Sequence, residues 1–171
     1  FRSDFAKTEK FAEEMSERFK DSGAKLIAYD DANEAVYGAD VIVVVTVSTE
    51  PVFDANRVKK GAVVSGVGSY TAEMNEIDPK LFKLADKIYF DSKDACIAES
   101  ADIQIPIREG LVSLEGLTGD IGEYALGEIS GREADDEIII FKNVGLGILD
   151  LVIAKLIYEK AKNRKIGYQW G

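Results

Sequence analysis

The chain has 171 residues, 46% of them hydrophobic and 30% charged, which is enough for one folded domain with a sizeable core. Its 21 basic and 31 acidic side chains give a net charge of −10, which disfavours nucleic acid and anionic membrane surfaces as partners. A single cysteine excludes an internal disulfide, and the absence of histidine disfavours a metal site. The opening residues lack the pattern of a signal peptide, so we expect a cytoplasmic protein.

The first part of the chain alternates helices and strands. Ser3 or Asp4 can cap a helix that runs to about Lys20 with its apolar side chains on one face. A strand, a short helix and a second strand are then predicted at residues 25–29, 31–37 and 40–46. The second strand is apolar on both faces, so we expect it to be buried on both sides inside a parallel sheet.

The alternation continues to the end of the chain. Strands are predicted at residues 61–65, 87–90 and 137–141, and helices at residues 78–85, 120–129 and 145–162. Residues 101–117 contain scattered apolar side chains, proline and glycine, and are predicted to be a connecting region. The last helix is so apolar that we expect it to be largely buried, and Tyr168 and Trp170 in the tail are expected to dock on a partner surface. Such alternation predicts an α/β, doubly wound, mainly parallel sheet.

In a sheet of this kind, ligands bind at the carboxyl ends of the strands. Three segments that follow predicted strands are therefore candidates: residues 46–51, 66–70 and 143–145. Glycine lets a backbone approach a flat ring or a phosphate closely, and hydroxyl groups can bind ribose. The alternative is that Pro51, Gly66 and Gly68 only form tight turns.

No G-x-G-x-x-G motif follows a predicted strand, although this motif places the pyrophosphate of a dinucleotide at a helix amino terminus. Gly66 and Gly68 lack a third glycine and do not lead directly into a helix. The fold either does not bind dinucleotides or lacks its first strand. A capped helix at the start of the chain favours the second alternative, a Rossmann-like fold without the first strand and the glycine-rich phosphate loop.

Five segments near the end of the chain have a distinctive order and spacing: residues 118–123, 126–129, 131–132, 136–138 and 141–150. They resemble the closing signature of the ornithine cyclodeaminase and mu-crystallin family. Residues 38–42, 46–51, 60–62 and 66–69, with Glu76 and Asp78 behind them, resemble the cofactor domain of the same family. The resemblance covers nearly the whole chain.

The resemblance implies a Rossmann domain that binds NAD or NADP and a hydride transfer at the α-carbon of an amino acid or its imine. Members include ornithine cyclodeaminases, which are lyases that yield proline and ammonia. Others are oxidoreductases: alanine dehydrogenases and ketimine or pyrroline-carboxylate reductases. The alternative from another class is a non-catalytic protein that binds a nucleotide or small ligand, as the hormone binding of mu-crystallin suggests.

Carried over by position, the resemblance places the cofactor contacts in four short segments. They are Arg2 and Ser3 at the adenosine ribose, Thr46, Val47 and Ser48 beside the adenosine, Gly66, Val67, Gly68 and Ser69 beside the nicotinamide, and Asn143 and Val144 near the carboxamide. Arg2 with a hydroxyl neighbour suits a 2′-phosphate, which slightly favours NADP. The alternatives are that Arg2 is an ordinary exposed charge and that Ser3 is a helix cap.

Tyr70 stands where the cyclodeaminases carry an aspartate beside the nicotinamide. A phenol is a poor base at neutral pH, so Tyr70 disfavours strict cyclodeaminase chemistry, and no catalytic residue is assigned.

In this family, the lysine and arginine that bind the substrate carboxylate lie in the amino-terminal half, which also forms the homodimer. No segment here matches that half. Residues 1–144 are thus expected to form a truncated cofactor domain, residues 145–171 to pack back on the missing half, and the chain alone to be inactive.

Overall fold

The structure is a computed structural model that describes residues 4–168. Its strands in that range are β1 (Val41–Val44), β2 (Val63–Gly66), β3 (Lys87–Phe90), β4 (Gly119–Asp120) and β5 (Ile139–Lys142). Its helices are α1 (Phe5–Arg18), α2 (Ala32–Val36), α3 (Lys80–Leu84), α4 (Lys93–Glu99), α5 (Ala101–Arg108), α6 (Ile121–Leu126) and α7 (Gly147–Arg164). The elements alternate much as the sequence predicts.

All strand pairs in the sheet are parallel, and the strand order is β1-β2-β5-β3-β4. β5 enters between β2 and β3, so the sheet contains a crossover at its centre. The predicted Rossmann-like α/β fold is confirmed. Because every strand runs in the same direction, the loops that follow the strands all leave from one edge of the sheet.

The core lies where the central strands meet helices α3, α4 and α5. Val64, Phe90 and Ile140 from the sheet are fully buried, as are Leu81 from α3 and Ile103 from α5. Each such side chain contributes about 1.5–3 kcal/mol by leaving water. This core fixes the strands whose carboxyl ends form the candidate site.

β1 is buried on one face only, so the prediction that both faces are buried is wrong. Ile42 and Val44 are 6% and 5% exposed, whereas Val41 and Val43 are 63% and 62% exposed. β1 is an edge strand, and the described residues cover only one of its faces. An apolar sequence makes a strand suitable for burial on both faces, but it does not show whether other elements cover both faces.

The predicted strand at residues 25–29 is also not formed. The segment is irregular, and Leu26 and Ala28 line a shallow cleft with Phe5 and Ala12 of α1. A strand exists only where a neighbouring strand completes its hydrogen-bond ladder, and none of the strands at residues 4–168 pairs with this segment. α1 is correspondingly a surface helix without a buried residue.

The predicted connecting region at residues 101–117 is partly helical. Helix α4 begins after Ser92, whose hydroxyl accepts a hydrogen bond from the Ala95 N–H, and α5 follows almost directly. Pro106 lies inside α5, where a proline removes one backbone hydrogen bond. The full burial of Pro106 in the core offsets that loss. For this reason, a proline in residues 101–117 did not mean that the segment is a connecting loop.

α7 forms as predicted but is not buried. None of its residues is buried, and Ile148, Leu151 and Ile157 are each at least 60% exposed. The expectation of a largely buried helix is therefore wrong for the structure as described. Tyr168 is 97% exposed, and Trp170 lies outside the described residues.

Among residues 4–168, no helix has the length and apolar character needed to cross a membrane.

A charged cluster closes the opposite edge of the sheet. The hydrogen bond from the Lys87 ammonium to Glu133 raises the pKa of Lys87 and lowers the pKa of Glu133. Lys87 also donates to the Ser130 hydroxyl at 3.1 Å and lies 3.9 Å from a Glu137 oxygen. These contacts hold residues 130–137 against the amino ends of β3 and β5 and have no role at the other edge.

Candidate nucleotide site

Backbone hydrogen bonds bring the loops after β1, β2 and β5 together at the carboxyl edge of the sheet. The Val67 N–H donates to the Val44 carbonyl at 2.9 Å, and the Asn143 N–H donates to the Gly66 carbonyl at 3.0 Å. The backbone hydrogen-bond ladder therefore continues one residue beyond β2 and one residue beyond β5. Three of the four segments that the resemblance assigns to the cofactor are neighbours in space; the fourth, Arg2 and Ser3, lies outside the described residues.

The loop after β1 has an exposed tip and a fixed base. Thr46 and Val47 are exposed, whereas Ser48 is buried. The Ser48 N–H donates to the Thr46 hydroxyl at 3.2 Å, and the Ser48 hydroxyl donates to the Glu50 carbonyl at 2.6 Å. The Ser48 hydroxyl thus shapes the loop, and Thr46 and Val47 present the surface that a ligand would contact.

Packing within the protein accounts for Gly66 at the end of β2 and for Gly68 in the loop that follows. A Cβ on Gly66 would lie 2.7 Å from the Ile77 side chain. A Cβ on Gly68 would lie 1.9 Å from the Thr46 carbonyl oxygen and 2.4 Å from a carboxylate oxygen of Glu76. Gly68 therefore lets the loops after β1 and β2 touch. This is a structural reason for the glycines that does not depend on a ligand.

Ser69 ends that loop as a buried anchor. Its hydroxyl donates to the Met74 carbonyl and lies 2.9 Å from the Ser100 hydroxyl. Val67, by contrast, is half-buried and borders the edge. Tyr70 is half exposed, and none of the hydrogen bonds found at residues 4–168 involves its hydroxyl.

Asp91, at the end of β3, holds the loop after β5. One of its carboxylate oxygens accepts from the Gly145 N–H at 2.8 Å and the Val144 N–H at 3.2 Å, and the other accepts from the Ser92 N–H at 2.8 Å. These bonds fix the backbone around Asn143. Asp91 was not predicted to belong to the site, although it is an acidic residue directly after a predicted strand.

Below the loops lies a buried network of charges, which was not predicted from the sequence. Asp102 and Lys142 are both fully buried, with 3.3 Å between a carboxylate oxygen and the ammonium nitrogen. The other Asp102 oxygen accepts from the backbone N–H groups of Glu76 and Ile77 and from the Asn75 amide. Lys142 also donates to the Gly66 carbonyl at 3.3 Å. The network joins α5, β5 and residues 75–77 under the site.

Cys96 lies close to the same edge in surroundings that disfavour a reactive thiolate. It is fully buried, and its thiol donates to Asp91 at 3.3 Å. Burial raises the pKa of the Cys96 thiol, and the neighbouring Asp91 carboxylate raises it further. A neutral thiol is unreactive, so covalent catalysis by Cys96 is disfavoured.

Comparison with known proteins identifies the family of this chain. The sequence profile of the ornithine cyclodeaminase/mu-crystallin family matches residues 3–165. The chain belongs to this family. A Delta(1)-pyrroline-2-carboxylate reductase from Bacillus cereus is 39% identical over 157 residues, which cover 92% of this chain and 47% of the relative. The chain thus spans about half the length of the curated relatives it matches.

Solved structures of family enzymes share the fold. The Delta(1)-pyrroline-2-carboxylate reductase of Thermococcus litoralis, solved with NADH and L-proline, superposes with a TM-score of 0.87 at 34% identity over 95% of this chain and 49% of its own. An archaeal alanine dehydrogenase dimer with bound NAD superposes with a TM-score of 0.83 at 31% identity, over 95% of this chain and 50% of its own. Both family neighbours hold a nicotinamide dinucleotide.

Proposed function

We propose that this protein is the cofactor-binding part of an NAD(P)-dependent reductase that acts on a small cyclic imino acid, of which Delta(1)-pyrroline-2-carboxylate is the leading candidate. The single observation that supports this best is the meeting of the three loops at one sheet edge, in a chain that is 39% identical to such a reductase. A bound NADH or NADPH would supply the hydride for the carbon of the C=N bond and become NAD⁺ or NADP⁺. The imine nitrogen would take a proton from water, and the product would be proline.

The residues at the edge fit a nicotinamide dinucleotide. Val47 is 70% exposed, and Val67 and Val144 are half-buried, so each leaves apolar surface at this edge that a flat ring could contact. The half-buried Asn143 has an amide that can both donate to and accept from a carboxamide. Under this proposal, the adenosine lies against the segment Thr46, Val47 and Ser48, in which Ser48 is buried and acts by shaping the loop. The nicotinamide lies against the segment Gly66, Val67, Gly68 and Ser69, in which Ser69 is buried and acts by anchoring the backbone. Asn143 and Val144 contact the carboxamide.

The choice between NADH and NADPH is part of the proposal. Arg2 and Ser3 lie outside the described residues, and their chemistry favours a 2′-phosphate. If Arg2 binds that phosphate, Arg2→Ala weakens NADPH binding and leaves NADH binding unchanged. Equal effects on both nucleotides contradict the role, and so does a wild-type preference for NADH.

The test is a titration with NADH and NADPH, followed by an assay of nucleotide oxidation at 340 nm. The protein is expressed from its complete gene, and the 171-residue chain is measured beside it. We expect saturable nucleotide binding, a raised melting temperature in the presence of nucleotide, and oxidation that depends on Delta(1)-pyrroline-2-carboxylate. The 171-residue chain is expected to give no turnover. Absence of nucleotide binding by the protein from the complete gene contradicts the proposal.

Alanine dehydrogenase activity is the second candidate, because the archaeal neighbour shares the fold at 31% identity. Pyruvate with ammonium replaces the cyclic imine in the same assay, and faster oxidation with this pair favours the second candidate. Release of ammonia from ornithine without added reductant would instead indicate cyclodeaminase chemistry. Nucleotide binding without turnover of any of these substrates would support the non-catalytic alternative.

We further propose that residues 1–144 form the cofactor domain and that residues 145–171 pack on the additional part of the fold that the longer relatives contain. The support is the exposed apolar surface of α7, on which Ile148, Leu151, Val152 and Ile157 are each at least 55% exposed. Hydrogen exchange of the 171-residue chain tests this, because an uncovered helix exchanges its amides rapidly. Protection of α7 equal to that of β5 in the 171-residue chain would contradict the proposal.

A further inference from the structure

Glu76 is fully buried between the loops after β1 and β2. One of its carboxylate oxygens accepts a hydrogen bond from the Thr46 N–H, across 30 residues of sequence. The same oxygen would lie 2.4 Å from a Cβ at Gly68, so the carboxylate is in close contact with the second loop as well. A single side chain therefore touches two of the three loops that the proposed function assigns to the nucleotide.

The backbone around Glu76 reinforces these contacts. The Asn75 N–H donates to the Ser48 carbonyl at 2.8 Å, and the Glu76 carbonyl accepts from the Val52 N–H at 2.9 Å. Ser69, at the end of the second loop, donates its hydroxyl to the Met74 carbonyl. Residues 74–76 thus hold the ends of both loops at once.

Glu76 is itself fixed from below. Its backbone N–H donates to Asp102 at 2.8 Å, and the Ile77 N–H donates to the same oxygen at 3.1 Å. Asp102 is in turn paired with Lys142 of β5. The position of the Glu76 side chain is therefore determined by the core and not by the exposed surface.

A carboxylate is a costly group to bury here. The second oxygen of Glu76 is buried and has no hydrogen-bond partner among residues 4–168. A buried polar atom without a partner lowers stability, so the second oxygen is a cost that the hydrogen bond from the Thr46 N–H to the first oxygen must offset. An apolar side chain of similar size could not accept that hydrogen bond.

We propose that Glu76 is a positioning residue of the nucleotide site, which sets the loop after β1 through its hydrogen bond to the Thr46 N–H. This inference rests on the proposed function. Its carboxylate does not contact the nucleotide; it holds Thr46 and Val47 in the conformation that receives the adenosine. The effect of losing Glu76 should therefore appear in nucleotide affinity beyond any loss of stability.

The experiment compares three variants of the protein expressed from its complete gene: Glu76→Ala, Glu76→Gln and Leu81→Ala. Leu81 is fully buried in α3 and serves as the matched control, because its loss destabilises the core without touching the loops. NADH binding is measured by fluorescence at a temperature where all variants are folded. ADP-ribose, which lacks the nicotinamide, is measured by displacement of NADH.

We expect Glu76→Ala to weaken both NADH and ADP-ribose about tenfold or more, the scale of one lost hydrogen bond to a charged group. Glu76→Gln keeps an acceptor oxygen and should bind within about threefold of the wild type, within the range that an ordinary hydrogen bond spans. Leu81→Ala should lower the melting temperature and leave both affinities unchanged.

Unchanged affinity of Glu76→Ala for either ligand would overturn the inference, as would equal weakening by Leu81→Ala. A Glu76→Gln variant as weak as Glu76→Ala would rule out the hydrogen bond as the cause. Failure of the wild-type protein to bind NADH is a separate result, because it overturns the proposed function itself.

Discussion

Replacing Asp102 with alanine is expected to lower the free energy of unfolding by about 3–5 kcal/mol, the usual cost of leaving one buried charge without its partner. The variant strands the buried Lys142 ammonium and removes the acceptor of the Glu76, Ile77 and Asn75 hydrogen bonds. A domain of this size is typically stable by about 5–15 kcal/mol, so the loss is a large fraction of the total. Urea unfolding followed by circular dichroism measures it.

Two further variants show whether the ion pair is responsible for that loss. Lys142→Met keeps the backbone and Asn75 hydrogen bonds of Asp102 and removes its cation together with the hydrogen bond to the Gly66 carbonyl, so it should also destabilise strongly. Asp135→Ala removes an exposed carboxylate and should change stability by no more than about 0.5 kcal/mol. If Asp102→Ala were no worse than Asp135→Ala, the buried pair would not stabilise the fold.

Gly68→Ala is expected to destabilise the protein by about 3 kcal/mol or more, at the upper end of what overpacking costs. The added Cβ would lie 1.9 Å from the Thr46 carbonyl oxygen and 2.5 Å from the Thr46 nitrogen. Both atoms belong to the backbone, so no side-chain rotation relieves the clash. The loops after β1 and β2 must separate, and nucleotide binding should be lost along with stability. Thermal unfolding and the NADH titration measure the two effects.

Gly122→Ala is the matched control for this substitution. Gly122 lies in α6, and an added Cβ there meets no atom within 4 Å. Alanine favours the helix over glycine, so this variant should be more stable by about 0.4–1 kcal/mol. If Gly68→Ala behaved in the same way, the close approach of the two loops would not be a requirement of the fold.

The local pattern was sufficient where one segment determines its own structure. The short helix predicted at residues 31–37 forms as α2, with Asp31 as its cap and not its first residue, and Gly38 follows it with a φ of 74°. The candidate loops were found because they follow apolar strands, and parallel strands place their carboxyl ends together. These conclusions need only side-chain chemistry and the direction of the chain.

Contacts between distant segments could not be predicted in the same way. Asp102 lies in a region whose proline and glycine suggested a connecting loop, and its partner Lys142 is 40 residues away along the sequence. Glu76 was recognised only as part of the family resemblance, although it contacts the loops after β1 and β2. A charged side chain in a sequence gives no sign of whether it will be buried.

By itself the sequence predicted the parallel α/β class and the three loops at one edge of the sheet, since the alternation of apolar strands with helices is a local pattern. The family followed from the resemblance of its motifs. The tertiary structure alone decided which faces are covered, leaving Val43 and α7 exposed, and which charges are buried. It also showed that Gly68 serves a contact between two loops. Burial and close approach depend on neighbours supplied by distant parts of the chain, and no local pattern contains them.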